Sequence, residues 1–260
     1  MFDIKFASIE FMKIAFMLLG LVPLVSFSIT ESDLQKYEEY TRTLDDPTVG
    51  PQKKIITKLR MGLMHQEELV RRTYVPVTGE YGPSNFEIAQ ALFEEVVDQV
   101  LCPKAQVAAQ RMLGGMYQNG QIGGKRDTDK AQELLEKVSG QSVNLTEKAA
   151  ADRLLGHMYQ RGQIGSIDGE PNMGKAFGYF TLVSVQTYNK QAKALADLSL
   201  GKMYQRGQIG SIDGEPNMEK AFEYFTLASE QSDDAWARGK ATALIDLIML
   251  PPLDEMDDDE

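Results

Sequence analysis

Apolar side chains recur at helical spacing in several segments of the chain. One segment carries them near one helical face at Ala149, Leu154, Leu155, Met158 and Tyr159. A second does so at Ala194, Leu195, Leu200, Met203 and Tyr204. A glycine follows three positions after each tyrosine of this pattern, where a left-handed C-terminal cap favours it, at Gly120, Gly162 and Gly207. The pattern predicts a series of similar helices, each ending near such a glycine.

The segments that follow these helices are also repeated. Residues 159–173 and 204–218 both read YQRGQIGSIDGEPNM, and residues 113–123 carry an earlier copy of the same opening with a shorter loop after it. A fainter copy aligns residues 89–96 with residues 131–138. An Asx residue, the preferred helix N-cap, stands at one phase in all four copies, at Asn85, Asp127, Asn172 and Asn217. This period predicts stacked helical hairpins.

Glycine also occurs inside the first helix of three copies, at Gly114, Gly156 and Gly201. A glycine in a helix interior costs about 1 kcal/mol relative to alanine. A repeated internal glycine therefore needs a compensating contact. We expect the second helix of each hairpin to approach closely at these positions.

The residues A-x-x-x-LG-x-MY-x-x-G-x-x-G, followed by D/N-x-x-KA, resemble the Sel-1-like repeat, a relative of the tetratricopeptide repeat. The resemblance is strong from Leu101 to Glu230 and extends weakly back to Pro51. It implies an all-α fold, an α-solenoid of antiparallel helix hairpins. It also implies that the partners are proteins, because such proteins are adaptors in complex assembly, signalling or host–microbe contact.

The first 28 residues have the pattern of a secretory signal peptide. An apolar run from Ile14 to Val25 follows Lys13, and small residues precede an expected cut after Ser28. Met12 is an alternative start of translation. The other interpretation is an uncleaved membrane anchor, but the run is shorter than the roughly 20 apolar residues of a membrane span.

The other boundaries follow from the repeats and their flanks. We expect a short helix and linker at 29–50, a degenerate first helical repeat at 51–100, and three Sel-1-like repeats at 101–232. The degenerate repeat is predicted to open with a long helix from Pro51 to Tyr74. Residues 233–250 are predicted to form a C-terminal capping helix. Residues 251–260, which contain six acidic residues and no basic one, are predicted to be a disordered tail.

Composition argues against several functions. With 27 Lys and Arg against 38 Asp and Glu, the net charge is −11, which disfavours nucleic-acid binding. The single cysteine, Cys102, cannot form an intramolecular disulfide and is expected to pack near a helix start. The two histidines, His65 and His157, lie in different repeats, and no zinc pattern, phosphate loop or nucleophile elbow is present. We therefore expect no catalytic residue, no metal and no cofactor.

The repeated glycine-rich loop has one alternative interpretation, weak calcium binding. An EF-hand loop that began at Asp213 would need glycine at its sixth position and a carboxylate at its twelfth. Those positions hold Met218 and Tyr224. Asn217 is also expected to cap a helix. The loop is therefore interpreted as a turn between two helices.

Candidate partner-binding residues lie where the aligned first helices differ between copies. We expect these positions to be exposed. Two sets of aligned positions, Gln106/Lys148/Lys193 and Gln110/Asp152/Asp197, lie one helical turn apart on one face. Stacked hairpins would align them into a concave strip suited to a protein or peptide. The candidate residues are Gln106, Gln110, Lys148, Asp152, His157, Lys193, Asp197 and Lys202.

The sequence therefore predicts a non-catalytic interaction scaffold that is secreted or periplasmic, or in the endoplasmic-reticulum lumen or outside the cell if the source is eukaryotic. It predicts a protein or peptide partner, no nucleic acid, and no membrane span after signal cleavage. One alternative is an exported hydrolase, since some cysteine-rich exported relatives are β-lactamase-like. This chain lacks the cysteine pair that those relatives carry in each repeat. Another alternative is a structural role in the cell envelope.

Overall fold

The computed structural model describes residues 31–67, 74–75, 80–81, 85–167, 170–210, 215–231 and 235–249. The predicted signal peptide and the predicted acidic tail lie outside these residues. The described part contains ten α-helices: α1 (Glu31–Asp45), α2 (Pro51–Gln66), α3 (Asn85–Val97), α4 (Pro103–Asn119), α5 (Thr128–Ser139), α6 (Leu145–Gln160), α7 (Met173–Ser184), α8 (Lys190–Gln205), α9 (Met218–Gln231) and α10 (Ala235–Met249).

The predicted helix from Pro51 to Tyr74 is too long. Helix α2 ends at Gln66, where the backbone N–H of Glu67 donates to the Leu63 carbonyl. Two short strands follow, β1 (Tyr74–Val75) and β2 (Glu80–Tyr81), which pair antiparallel with Tyr74 opposite Tyr81. The physical reason lies in the sequence Thr-Tyr-Val-Pro, because aromatic and β-branched residues favour strands and a residue before proline avoids the helical region.

The helices form consecutive hairpins, so the predicted fold class is confirmed. Each helix packs on the next in sequence, in the hairpins α2/α3, α4/α5, α6/α7 and α8/α9, and α10 packs on α9. The first helices also contact one another, α2 with α4, α4 with α6, α6 with α8, and α8 with α10. Within the described residues the second helices α5, α7 and α9 make no such contact with one another. The first helices therefore line the inner side of the stack, and their exposed surface is called the inner face below.

Three of the four predicted Asx caps are confirmed, whereas Asn85 is the first residue of α3 and its side-chain oxygen lies 3.2 Å from His65 Nδ1. The side chains of Asp127, Asn172 and Asn217 accept hydrogen bonds from the backbone N–H groups three residues ahead, at 3.1, 3.0 and 2.9 Å. Each therefore satisfies one of the free amides of a helix first turn. The glycines that follow the first helices adopt positive φ at Gly120, Gly162 and Gly207, with values of 71°, 63° and 63°.

The glycines inside the first helices lie against large side chains of the second helices. A Cβ atom added at Gly156 would lie 2.7 Å from the Phe180 ring, and one at Gly114 would lie 2.9 Å from Leu135. Gly201 meets Phe225 in the same way. The close approach expected at these positions is confirmed. Gly62 on α2 makes the same contact with Phe93 on α3, so the hairpin over the predicted degenerate repeat packs like the three others.

The inner face of the first helices

Two of the predicted partner-binding residues, Lys148 and Asp152, instead form a joint between successive hairpins. Asp152 is 1% exposed, and its carboxylate accepts a hydrogen bond from the hydroxyl of Ser139 at the end of α5. Lys148 Nζ lies 3.4 Å from the Asp152 carboxylate and donates to the Ser139 carbonyl. These three residues, called the α5–α6 joint, tie one hairpin to the next.

The same joint recurs one repeat later. Ser184 at the end of α7 donates to the carboxylate of Asp197, which is 0% exposed. Lys193 Nζ donates to the Ser184 carbonyl and lies 3.8 Å from the Asp197 carboxylate. We call these three residues the α7–α8 joint. Burial is the main cause that raises the pKa of Asp197, while the Ser184 hydroxyl and Lys193 act to lower it.

Glutamines occupy the two corresponding positions on α4. The Gln106 amide donates to the Val97 carbonyl at the end of α3, at 2.7 Å. Gln110 is 2% exposed and accepts from the Gln141 amide at 3.3 Å. Gln106 therefore connects α4 to the preceding helix, as Lys148 and Lys193 do in the later copies, whereas Gln110 bonds to the segment that follows α5.

The expected exposure of the predicted residues is therefore wrong for Gln110, Asp152 and Asp197, which are buried. The physical reason is that a buried polar group is tolerated when it is hydrogen-bonded, and here it is bonded across a helix junction. Between copies these positions keep a polar side chain and change its partner: the two glutamines of α4 bond to separate segments, whereas Lys and Asp share one serine in each later copy.

His157 and Lys202 are the predicted residues that line a cleft on the inner face. This cleft, called the His157 cleft, has a volume of about 260 Å³, and its lining includes His157, Gln160, Arg161, Lys202, Arg206 and Gln208. His157 Nδ1 lies 3.4 Å from the Gln160 side-chain oxygen, and its ring meets the edge of Phe180 at 4.9 Å between centroids. His157 and Lys202 are both only partly exposed.

Several positively charged side chains lie close to His157 in the His157 cleft. The pKa of His157 is lowered to about 4, mainly by loss of hydration and then by the neighbouring Arg153, Arg161 and Lys202, while the hydrogen bond with Gln160 acts to raise it. Burial is also the main cause that lowers the pKa of Lys202, followed by Lys240 and Arg206. At neutral pH His157 is therefore uncharged and the other side chains form a basic surface.

A second cleft on the inner face lies between α4, α6 and α8. Its volume is about 250 Å³, and its lining includes Arg111, Thr146, Glu147, Arg153, Asn189 and Gln191. We call it the Arg153 cleft. Arg111 forms an ion pair with Glu147 across the α4–α6 contact. Arg153 has no such partner in the described part of the chain, and its Nε is buried without a hydrogen bond.

The arginines of these clefts were not among the residues predicted from the sequence. Arg153 and Arg161 flank His157 at intervals of four residues on α6 and its C-terminal end, and Arg206 follows Lys202 at the same interval on α8. Side chains four residues apart share a helical face. This spacing could have identified the arginines from the sequence. The candidate residues were chosen where the copies differ, however, and Arg161 and Arg206 are identical in two copies.

The described residues contain no group of three or more His, Cys, Asp or Glu side chains that could hold a metal ion. Cys102 is the residue immediately before α4 and packs, partly buried, against the core between α2, α3 and α4. Among the helices that the structure describes, none is long and apolar enough to cross a membrane.

Comparison with known proteins agrees with the repeat architecture. A model of the Sel1 repeat family matches residues 107–139, 148–182 and 192–233, which correspond to the hairpins α4/α5, α6/α7 and α8/α9. A solved structure of a Sel1 repeat protein from Oxalobacter formigenes is similar over 83% of this chain and 72% of its own, with 18% identity and a TM-score of 0.47. No curated protein matches the chain. The chain therefore contains three Sel1 repeats.

Proposed function

We propose that this protein is an exported, non-catalytic scaffold that binds a partner protein or peptide on the inner face of its first helices. Sel1 repeat proteins are generally protein-interaction scaffolds, and the three family repeats support that role for this chain. The observation that carries the choice of face is the pair of polar clefts on α4, α6 and α8.

The shape of the inner face favours a protein partner over a small molecule. Small-molecule sites are usually concave, mostly apolar pockets of about 300–1,000 Å³. The two clefts are about 260 and 250 Å³, and charged and amide side chains make up most of their lining. A row of shallow polar clefts on successive repeats suits an extended chain or a helix that crosses several repeats.

Site-specific photo-crosslinking tests the choice of face. A photoreactive residue would replace Gln160 or Lys202 on the inner face, and Glu133 or Lys137 on the exposed surface of the second helix α5 as matched controls. We expect the inner positions to crosslink to one protein in the cells that express this chain, and the α5 positions not to. Equal crosslinking from both faces, or crosslinking from α5 alone, would contradict the proposed face.

Export is the second part of the proposal, and it is supported by the signal-peptide pattern of residues 1–28. N-terminal sequencing of the protein purified from its own cell tests it. We expect the mature chain to begin at Ile29. A mature chain that still begins at Met1 or Met12 would contradict cleavage.

A further inference from the structure

Arg153 is a cation without a counter-ion among the residues that the structure describes. Within them its Nε is buried and makes no hydrogen bond, and none of their ion pairs includes it. Loss of hydration and, to a smaller extent, the nearby Arg111 lower the pKa of Arg153 to about 10. A guanidinium group left in this state is destabilising unless something outside the fold compensates it.

The position of Arg153 makes external compensation feasible. Its side chain lines the Arg153 cleft and is partly exposed there. The neighbouring Arg111 is already paired with Glu147, so that carboxylate is engaged. A guanidinium presents several N–H donors in a planar fork that matches a carboxylate. The open side of the cleft therefore has the geometry and charge for one incoming carboxylate.

The surroundings extend this preference along the inner face. From the Arg153 cleft the basic residues continue into the His157 cleft through Arg161, Lys202 and Arg206. This concentration is opposite in sign to the chain as a whole, which has a net charge of −11. A local basic strip on an acidic protein attracts an acidic segment at short range, while the net charge repels a long polyanion such as nucleic acid.

We propose that Arg153 anchors a carboxylate-binding site on the inner face, and that its occupant is an Asp- or Glu-rich segment of a protein partner. This inference rests on the proposed scaffold function and names the chemistry of its partner. One carboxylate of the segment pairs with Arg153, and the following acidic residues lie along the strip toward Lys202 and Arg206.

Fluorescence anisotropy of the full chain with a labelled octapeptide of alternating Glu and Gly tests this site, in about 50 mM salt to limit screening. We expect saturable binding that Arg153→Gln weakens at least tenfold and that Arg153→Lys weakens less. Lys137→Gln is the matched control, because it removes one positive charge from the exposed surface of α5. It should change the affinity less than twofold.

A stability measurement on the same variants separates a binding role from a structural one. If Arg153 is reserved for a ligand, Arg153→Gln should be at least as stable as the wild type. A destabilised Arg153→Gln, or an affinity that Arg153→Gln and Lys137→Gln lower equally, would overturn the site. Free acetate and inorganic phosphate are the competing small anions. If either anion displaces the octapeptide when both are present at the same concentration, the site binds small anions and the proposal is overturned.

This inference can fail while the scaffold function stands. The photo-crosslinking experiment uses no acidic peptide, so it tests the inner face independently of the partner's charge. A partner captured on the inner face that lacks any acidic segment at the crosslinked site would overturn the Arg153 assignment alone. Crosslinking from the α5 positions alone would overturn the scaffold proposal itself.

Discussion

Two cations on the same helix, Lys148 and Arg153, have opposite environments. Lys148 is paired with the buried Asp152 and donates to the Ser139 carbonyl in the α5–α6 joint. Arg153 lies in a cleft on the inner face, and its buried Nε has no hydrogen-bond partner among the described residues. One cation of α6 therefore holds two hairpins together, whereas the other is the one that we propose for binding a ligand.

The largest expected effect comes from breaking a joint. Asp152→Ala leaves Lys148 without its carboxylate and Ser139 without its acceptor, in a site that is almost closed to water. Removing one partner of a buried pair costs about 3–5 kcal/mol, and the partial exposure of Lys148 reduces this to about 2–3 kcal/mol. Urea denaturation should show that loss in the free energy of unfolding.

An exposed ion pair provides the control for the joint. Lys220 and Glu223 are 2.7 Å apart, and both side chains are about half exposed. Exposed pairs contribute about 0–1 kcal/mol, so Glu223→Ala should have a small effect. Equal losses from Asp152→Ala and Glu223→Ala would remove the distinction between joint residues and surface residues.

The second effect concerns His157, which lies one turn from Arg153 among the cations of the inner face. Its pKa is about 4 in the folded chain, below the ordinary value of 6.5. Between these values the unfolded state binds the proton and the folded state does not, so stability falls as pH decreases from 6.5 to 4. The loss should be about 2–3 kcal/mol in total.

NMR titration of the two histidine rings measures the His157 pKa directly, and His157→Gln should remove this part of the pH dependence. Side chains that face His157 and set its pKa are Arg153, Gln160, Arg161 and Lys202. An acidic ligand on the strip should raise the pKa of His157, because it offsets the neighbouring positive charges. A His157 pKa near 6.5 in the free protein would show that the inner face is not a crowded basic surface.

The third effect is an increase in the free energy of unfolding. Arg153→Met replaces an unpaired cation with an apolar side chain of similar length. Such replacements of buried ions are often stabilising, so the free energy of unfolding should rise by about 1 kcal/mol. Thermal or urea denaturation beside the wild type measures it. A decrease of 1 kcal/mol or more would indicate that Arg153 belongs with Lys148 as a structural cation.

The smallest effect is expected from Asp197→Asn in the α7–α8 joint, which replaces a carboxyl group that can ionise with a neutral amide. Burial raises the pKa of Asp197 above its ordinary 3.8, so the folded state binds its proton more tightly than the unfolded state. Stability from this group is therefore present at low pH and decreases as pH rises from 3.8 through the folded pKa. Asp197→Asn should cost about 1 kcal/mol or less at pH 7, and more at pH 4. Unfolding curves at both values check this sign.

Most of the fold could be predicted from the sequence because its determinants are local. The Asx caps, the glycines with positive φ and the internal glycines such as Gly156 each act within one hairpin, and all recur at a fixed period. The end of α2 was mispredicted because the apolar pattern continued into residues that pair as strands.

The candidate site could be predicted only in part. Asp152 and Asp197 have the polarity and variability of surface residues, and only the junction of two hairpins reveals that they are buried. The Arg153 cleft assembles side chains from α4, α6 and α8, which are about 40 residues apart in sequence. No single helix contains the information that Arg111 is paired and Arg153 is not.

The carboxylate-binding role of Arg153 is tested most directly by the affinity of the Arg153→Met variant for the Glu-Gly octapeptide. The free energy of unfolding is measured on the same protein sample. We expect a variant that is at least as stable as the wild type and binds the peptide at least tenfold more weakly. Wild-type affinity in a folded Arg153→Met protein would contradict the claim that the unpaired cation is reserved for a ligand.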